Sequence, residues 1–404
     1  MPPQTKRKVN APAGSADKKK SPAKSKSKEK EKETKDSKEG PRGKDSKDAD
    51  KRSKEATATP SKEMTQDSLI QEAPKSAPYP KSLLLRTKST LDPAKRENAK
   101  LVLNFVESTL KKGFQTVRGE FAKHKRALDK SKMLVFAQNP TKNRYRDVGC
   151  YDNCRVILLN NGPSDYIHAN YVSSPKSKKR FICCQAPLPS TLADHWRMLV
   201  QEKSDVVLML CNFIESKKEK CAHYFPESTD TPMTFGPFTV KCVNREQLKL
   251  DCTTTAVIMV TSLVVEENGV QVHKLEHYHW LDWPDRGVPT VDLAPIKLLE
   301  KISPTQTPIV IHCSAGIGRT GAICLLQYAL ESIATGQPCE QIDVLMIKLR
   351  EQRANSVQTD AQYLYVHQLL LHYFEMEGYL DASIEKPLQQ FRDKYEDYAS
   401  KFKT

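Results

Sequence analysis

Long apolar runs are missing from this 404-residue sequence. No stretch reaches the roughly 18 apolar residues that a membrane-crossing helix needs, so none is expected. Residues 1–10 are polar and no apolar run follows them, which argues against a secretory leader. Eleven cysteines are present, but no Cys-x2-Cys pair, and adjacent Cys183 and Cys184 read as strand residues. That spacing excludes an ordinary structural zinc site. Without a secretory route the thiols should be reduced, and the cytoplasm is the expected compartment. Aromatics make up only 7% of the chain, and residues 18–54 contain none.

Such a segment cannot bury enough apolar surface to offset the entropy of ordering it. Residues 1–75 are therefore expected to form a disordered Lys/Ser-rich tail, with 76–94 as linker. The tail holds 21 Lys/Arg against 13 Asp/Glu, so +8 of the net +15 is local to it. A soluble spacer is the plainest role. Contact with acidic membranes or nucleic acid, or nuclear import through Lys6-Arg7-Lys8, are the sharper ones. None of these is expected to be required by the remainder of the chain.

Composition changes near Ala94. Helical periodicity runs over 99–128, with Leu101, Phe105, Val106 and Leu110 on one face. Strands are expected at 155–159, 166–172, 180–185, 206–210, 238–243, 256–265, 271–280 and 309–311. The run at 206–210 is apolar throughout, as in a strand buried on both faces. Glu267-Asn268-Gly269 is a hairpin signal. Helices are expected at 190–203, 292–302, 320–334, 339–353 and 360–376, and residues 379–404 read as a charged, partly helical tail. This pattern predicts one α/β domain over 95–378, a twisted mixed sheet with helices on both sides.

The chemistry concentrates in Pro308-Ile-Val-Ile-His312-Cys313-Ser314-Ala315-Gly316-Ile317-Gly318-Arg319-Thr320-Gly321. A strand, a small-residue loop and a helix follow one another. Such a loop aims successive backbone N–H groups, and the positive end of the helix dipole, at one point. Ser314, Ala315, Gly316, Ile317 and Gly318 would supply those amides to an anion. Arg319 adds a fork suited to phosphate oxygens. The same field stabilises a thiolate at Cys313, which then faces a bound phosphoryl group as a nucleophile. Thr320 can hydrogen-bond the sulfur. Gly316-Ile-Gly318-Arg-Thr-Gly321 also fits the dinucleotide fingerprint G-x-G-x-x-G. It lies too near the end of the chain for that fold, and a dinucleotide requires neither Cys313 nor Arg319.

HCSAGIGRTG has the His-Cys-x5-Arg-(Ser/Thr)-Gly form and resembles the signature of the non-receptor-type protein tyrosine phosphatase family. The resemblance extends in order over roughly 95–378. It implies that Trp283-Pro284-Asp285 is a mobile acid loop, with Asp285 as general acid. Asp282 lies outside that triplet. The stretch Lys142-Asn-Arg144-Tyr145-Arg-Asp147 is similar to the family's substrate loop: Tyr145 would stack on a phosphotyrosine ring and Asp147 would bind the peptide backbone, with Arg144 in a structural pairing. Gln358 would orient the hydrolytic water and Gln362 would assist. Glu215 would pair with Arg319, and His312 would support the loop. Ala186, Phe225 and Asn355 depart from the usual residues, and Asn355 would narrow access for flanking substrate residues.

The function implied is metal-independent hydrolysis of phosphotyrosine in proteins through a cysteinyl phosphate. No cofactor is called for, because the loop itself supplies the positive potential. Phosphotyrosine proteins are the expected partners and a monomeric catalytic domain the expected state. A phosphotyrosine-binding module that has lost catalysis would lack one of Cys313, Arg319, Asp285 or Gln358, and all four are present.

Overall fold

The computed structural model describes residues 93–124, 128–159 and 164–402. The 1–75 tail with Lys6-Arg7-Lys8, and the linker up to residue 92, lie outside the described residues.

Helix α1 (Pro93–Lys123) bends at Gly113, whose φ of 71° breaks the helical run. Its apolar stripe is buried through Val102, Phe105 and Val106, while Leu101 and Leu110 pack at the margin. The short α2 (Leu134–Gln138) follows, then strands β1 (Arg155–Ile157), β2 (Tyr166–Ser174) and β3 (Ser177–Cys184). Helix α3 (Leu192–Gln201) leads into β4 (Val206–Met209), a two-stranded hairpin β5 (Ile214–Glu215) and β6 (Lys218–Glu219), and β7 (Met233–Phe235). Strands β8 (Phe238–Gln247), β9 (Ile258–Glu267) and β10 (Val270–Trp280) form a meander. The β9–β10 turn places Asn268 and Gly269 at φ 53° and 83°, the left-handed pair that a tight hairpin needs. The chain continues through α4 (Ala294–Ile302), β11 (Ile309–His312), α5 (Arg319–Ala334), α6 (Ile342–Arg350), α7 (Asp360–Met376) and α8 (Glu385–Ala399).

Nine strands make one sheet in the order β1-β2-β3-β11-β4-β10-β9-β8-β7. Its centre, β3-β11-β4-β10, is parallel and its flanks are antiparallel. This is the mixed sheet expected from the sequence, with helices packed against it. Central strands have no wet face, which is why β4 and β11 read as unbroken apolar runs. β11 is flanked by two parallel neighbours, and its end delivers the Cys313 loop at the C-terminal edge of the sheet. That edge is where open α/β sheets place ligands. Among the described residues no helix is long and apolar enough to cross a membrane.

The short α2, β5, β6 and β7 lie outside the sequence expectation, and two further segments differ from it. The helix expected at 339–353 is shorter, because Arg350 turns back to bond the carbonyls of Ser356 and Val357 and closes the segment into a loop. Residues 385–399 form a full helix that buries Leu388, Phe391 and Tyr395. Its charged residues are many, yet the apolar ones keep helical spacing.

Ile311 is wholly buried on the strand beneath the loop. Ile311→Ala is expected to lower the unfolding free energy by about 2–5 kcal/mol, the usual cost of a large-to-small change in a packed core. Urea denaturation followed by tryptophan fluorescence reads this; a loss below about 1 kcal/mol would mean that the strand is not part of the packed centre.

Candidate active site

The loop after β11 is shaped from behind. The carbonyl of Cys313 meets His312 Nδ1 at 3.2 Å, and that of Ser314 accepts from Ala186 N at 3.0 Å. Arg353, fully buried, donates to the carbonyls of Ala315 (3.0 Å) and Gly316 (3.1 Å). The Ile317 carbonyl accepts from Val357 N at 2.8 Å and Gly321 N at 3.1 Å. Each of these carbonyls is thus held outward by a partner, which turns the peptide N–H groups the other way. A ring of amides facing inward is an anion site.

Gly316 is required for this curl. Its φ is +68°, and a β-carbon there would lie 1.9 Å from the Cys184 carbonyl oxygen. Gly321 lets the following helix approach the glutamine loop, since a β-carbon would sit 2.3 Å from Val357 N. Val357 itself has φ 62°, costly for a β-branched residue. The strain is held in place by its bond to Ile317 and by Arg350 on its carbonyl.

Cys313 is buried at the base of the ring. Burial pushes its thiol pKa up. Arg319, the Thr320 hydroxyl and the backbone N–H groups of Thr320 and Gly316 oppose that and win, so the pKa falls below the ordinary thiol value. Thr320 Oγ1 is buried, and its hydroxyl is among the groups that lower the Cys313 pKa. Other buried cysteines go the other way: desolvation raises Cys150 to about 11 and Cys339 to about 12.

Arg319 is buried and gripped by Glu215. Its Nη1 and Nη2 donate to the two carboxylate oxygens at 2.6 and 2.7 Å. Nη1 also reaches the Trp283 carbonyl at 3.0 Å, and Nη2 reaches Asp285 Oδ1 at 3.2 Å. Burial alone would lower the guanidinium pKa; Glu215, with the Cys313 thiolate, holds it above the ordinary value. The β5–β6 hairpin presents Glu215 through a turn with Ser216 and Lys217 at φ 49° and 60°.

Asp285 is roughly a quarter exposed and also pairs with Lys220, Nζ to Oδ2 at 2.6 Å. Burial raises its pKa, but the Lys220 bond and the charges of Arg319, Lys220 and Arg286 outweigh this and lower it. Asp282 faces away and caps Val257 N at 2.9 Å. The acid loop is anchored by Trp283, buried against Trp280 and Tyr365 with ring centroids at 5.1 and 5.9 Å.

Tyr145 packs on Val148, Ala315 and Ile317 and its hydroxyl lies 2.8 Å from Ser314 Oγ. It therefore forms a wall beside the ring. Asp147, two residues beyond Tyr145, is exposed. Arg144 points inward to the carbonyls of Ala186 (3.2 Å) and Pro187 (2.7 Å). Gln358 and Gln362 both lie over the loop: a β-carbon at Gly318 would be 3.0 Å from Gln358 Oε1 and 3.0 Å from Gln362 Nε2. Gln362 spends its carbonyl oxygen on the backbone N–H groups of Gln358 (3.0 Å) and Thr359 (3.3 Å), and so fixes the glutamine loop. His312 is buried and kept neutral, its pKa lowered to about 4 by desolvation. Its Nε2 meets Tyr224 Oη at 2.7 Å, and that hydroxyl also meets His277 Nε2.

Ser314, Ala315, Gly316, Ile317, Gly318, Arg319, Thr320, Asp285, Glu215, Tyr145, Gln358 and Gln362 thus gather around Cys313. Sequence reasoning passed over Lys220, Arg353, Val357 and Tyr224. Lys220 and Tyr224 stand in Lys-Cys-Ala-His-Tyr-Phe-Pro, which begins five residues beyond Glu215.

A low-pKa sulfur and a guanidinium sharing a ring of amides make an anion site with a reactive cysteine at its base. The protein-tyrosine phosphatase family model matches residues 139–372, more than half of the chain, and the chain belongs to that family. It is 35% identical over 251 residues to human tyrosine-protein phosphatase non-receptor type 12, covering 59% of this chain and 31% of that protein. With human non-receptor type 4 the identity is 36% over 252 residues, covering 60% and 26%. With mouse non-receptor type 18 it is 32% over 245 residues, covering 58% and 52%. The chain thus spans about half the length of type 18 and less than a third of types 12 and 4. A solved structure of PTPN18 in complex with HER2 phosphor-peptides superposes with a TM-score of 0.56 at 29% identity, covering 66% of this chain and all of that one.

The low thiol pKa is testable by alkylation. The rate of Cys313 labelling by iodoacetate should titrate with a midpoint below the ordinary thiol value of roughly 8.5. In Arg319→Met the midpoint should rise, because burial is then opposed only by hydrogen bonds. A midpoint unchanged by that substitution would contradict the electrostatic account.

Proposed function

We propose that this chain hydrolyses phosphotyrosine in proteins, with Cys313 as nucleophile, Arg319 as phosphate clamp and Asp285 as general acid. The observation that carries the reading is the ring itself: outward carbonyls, inward amides and a buried, Glu215-braced guanidinium around one low-pKa sulfur.

A phosphate dianion entering the ring takes hydrogen bonds from the amides of 314–319 and from the Arg319 Nη2 that now reaches Asp285. Loss of that contact and the arrival of two negative charges both raise the proton affinity of Asp285. The carboxyl that is ionised in the empty site is thereby protonated when ester is bound, which is the form a general acid needs. Lys220 keeps Oδ2 in place during the exchange. The sulfur attacks phosphorus in line, the S–P bond forms as the P–O(aryl) bond breaks, and Asp285 gives its proton to the phenolic oxygen. Charge developing on the equatorial oxygens is met by preorganised donors. Gln358 then orients water, Asp285 takes its proton as the water oxygen bonds phosphorus, the S–P bond breaks and inorganic phosphate leaves. Thr320 stabilises the departing thiolate.

Tyr145 sets the reach of the pocket. An aryl phosphate can lay its ring on the tyrosine while its phosphate meets the amides; an alkyl phosphate on a short side chain stops above the sulfur. Asp147, exposed two residues beyond Tyr145, accepts N–H groups of the substrate backbone in this reading. Phosphotyrosine proteins are accordingly the substrate class, and the catalytic unit acts as a monomer in the cytoplasm. The basic tail is an accessory, able to contact acidic surfaces or to direct nuclear entry.

Cys313→Ser is expected to abolish turnover of phosphotyrosine peptides, read by phosphate release. Asp285→Ala should lower kcat by about 10²–10⁴ with KM little changed, the usual contribution of a positioned general acid. Retained activity in the first variant would remove the nucleophile assignment. A raised KM at unchanged kcat in the second would make Asp285 a binding group.

A further inference from the structure

Helix α8 and the turn after it touch both loops that flank the reaction. Phe114 of α1 meets Phe391 and Tyr398 of α8 edge-on, with ring centroids at 5.9 and 5.7 Å. Tyr398 in turn meets Phe402 at 5.2 Å, so one aromatic row runs from α1 to the end of the described chain. Two polar contacts leave this row. The Tyr398 hydroxyl donates to Asp360 Oδ2 at 2.9 Å, and Arg118 Nε donates to the same oxygen at 2.8 Å while its guanidinium lies 4.5 Å over the Tyr398 ring. Asp360 is the first residue of α7, two positions after Gln358. The Phe402 carbonyl sits against Gly287, where a β-carbon would lie 3.0 Å from its oxygen. Gly287 closes the turn that carries Asp285: its N–H donates to the Pro284 carbonyl at 3.2 Å, and its carbonyl accepts from Trp283 Nε1 at 3.3 Å.

We propose that residues 398–402 act as a brace on catalysis, with Phe402 a positioning residue for the acid loop and Tyr398 a positioning residue for the glutamine loop. The argument is one of leverage. Asp285 sits beside a residue with positive φ, Arg286 at 61°, in a turn closed by few bonds. A main-chain contact at Gly287 limits where that turn can settle. The Asp360 carboxylate, fixed by Arg118 and Tyr398, anchors the start of α7, and with it the Gln362 side chain that caps Gln358. The inference rests on the phosphatase reading above.

The test uses full-chain variants and a series of aryl phosphates whose leaving groups run from phenol to nitrophenol. A poor leaving group needs the proton of Asp285; a good one does not. Phe402→Ala should lower kcat roughly tenfold on phenyl phosphate and less than about twofold on the nitrophenyl ester, and Phe402→Tyr, which keeps the ring, should restore it. Tyr398→Phe should leave the first step intact and slow hydrolysis of the cysteinyl phosphate, seen as a larger pre-steady-state burst of phenol. Thermal midpoints measured alongside separate positioning from unfolding. Equal losses across all leaving groups, or no loss in either variant, would overturn the brace while wild-type turnover still upheld the phosphatase reading. No wild-type turnover on any member would overturn that reading and the brace with it.

Discussion

The site depends on a buried guanidinium that must stay charged. Water is removed from Arg319 so that its field reaches the sulfur undiminished, and a lone buried charge would be prohibitively costly. Glu215 offsets that cost through two short parallel bonds. The pairing uses one hydrogen on each terminal nitrogen and fixes the plane of the fork. The remaining donors can then point only toward the ring and the acid loop. One of those donors is held by Asp285, and in the proposed reaction the ester phosphate takes it over.

A second constraint is the orientation of peptide groups. Five consecutive carbonyls, from Cys313 to Ile317, find partners on the side away from the ring. Apart from His312 beside Cys313 and Gly321 in the helix, those partners come from distant parts of the chain: Ala186 after β3, Arg353 after α6, and Val357 in the glutamine loop. The central sheet brings β3 and β11 side by side, which makes the first possible; the α5–α6 packing makes the others possible. A rigid scaffold of parallel strands thus carries a loop whose shape is set almost wholly by hydrogen bonds from outside it.

The sheet was legible because buried strands leave apolar runs and hairpins leave Asn-Gly. The reacting residues were legible because a cysteine and an arginine amid small residues have few other uses. What was hidden is physical in origin. Arg353 and Tyr224 act through tertiary contacts that no spacing reveals. Lys220 looks like any surface lysine until the fold sets it 2.6 Å from Asp285. Val357 in a left-handed conformation contradicts its own propensity, and the tertiary bonds to Ile317 and Arg350, with the close approach of Gly321, hold it there. Helix α8 was masked by its charge, since 385–399 carries its apolar residues at sparse helical intervals. Asn355, with φ 58°, adopts the left-handed conformation that asparagine tolerates better than most residues.

The account makes the sulfur of Cys313 the site where phosphate is held between the two steps. Acid quenching during turnover of a phosphotyrosine peptide, followed by proteolysis and mass spectrometry, reads this directly. A phosphate adduct on the peptide that contains Cys313, and absent from the Cys313→Ser variant, is the predicted result. Full turnover with no adduct on that peptide, or with the adduct on another residue, would contradict it.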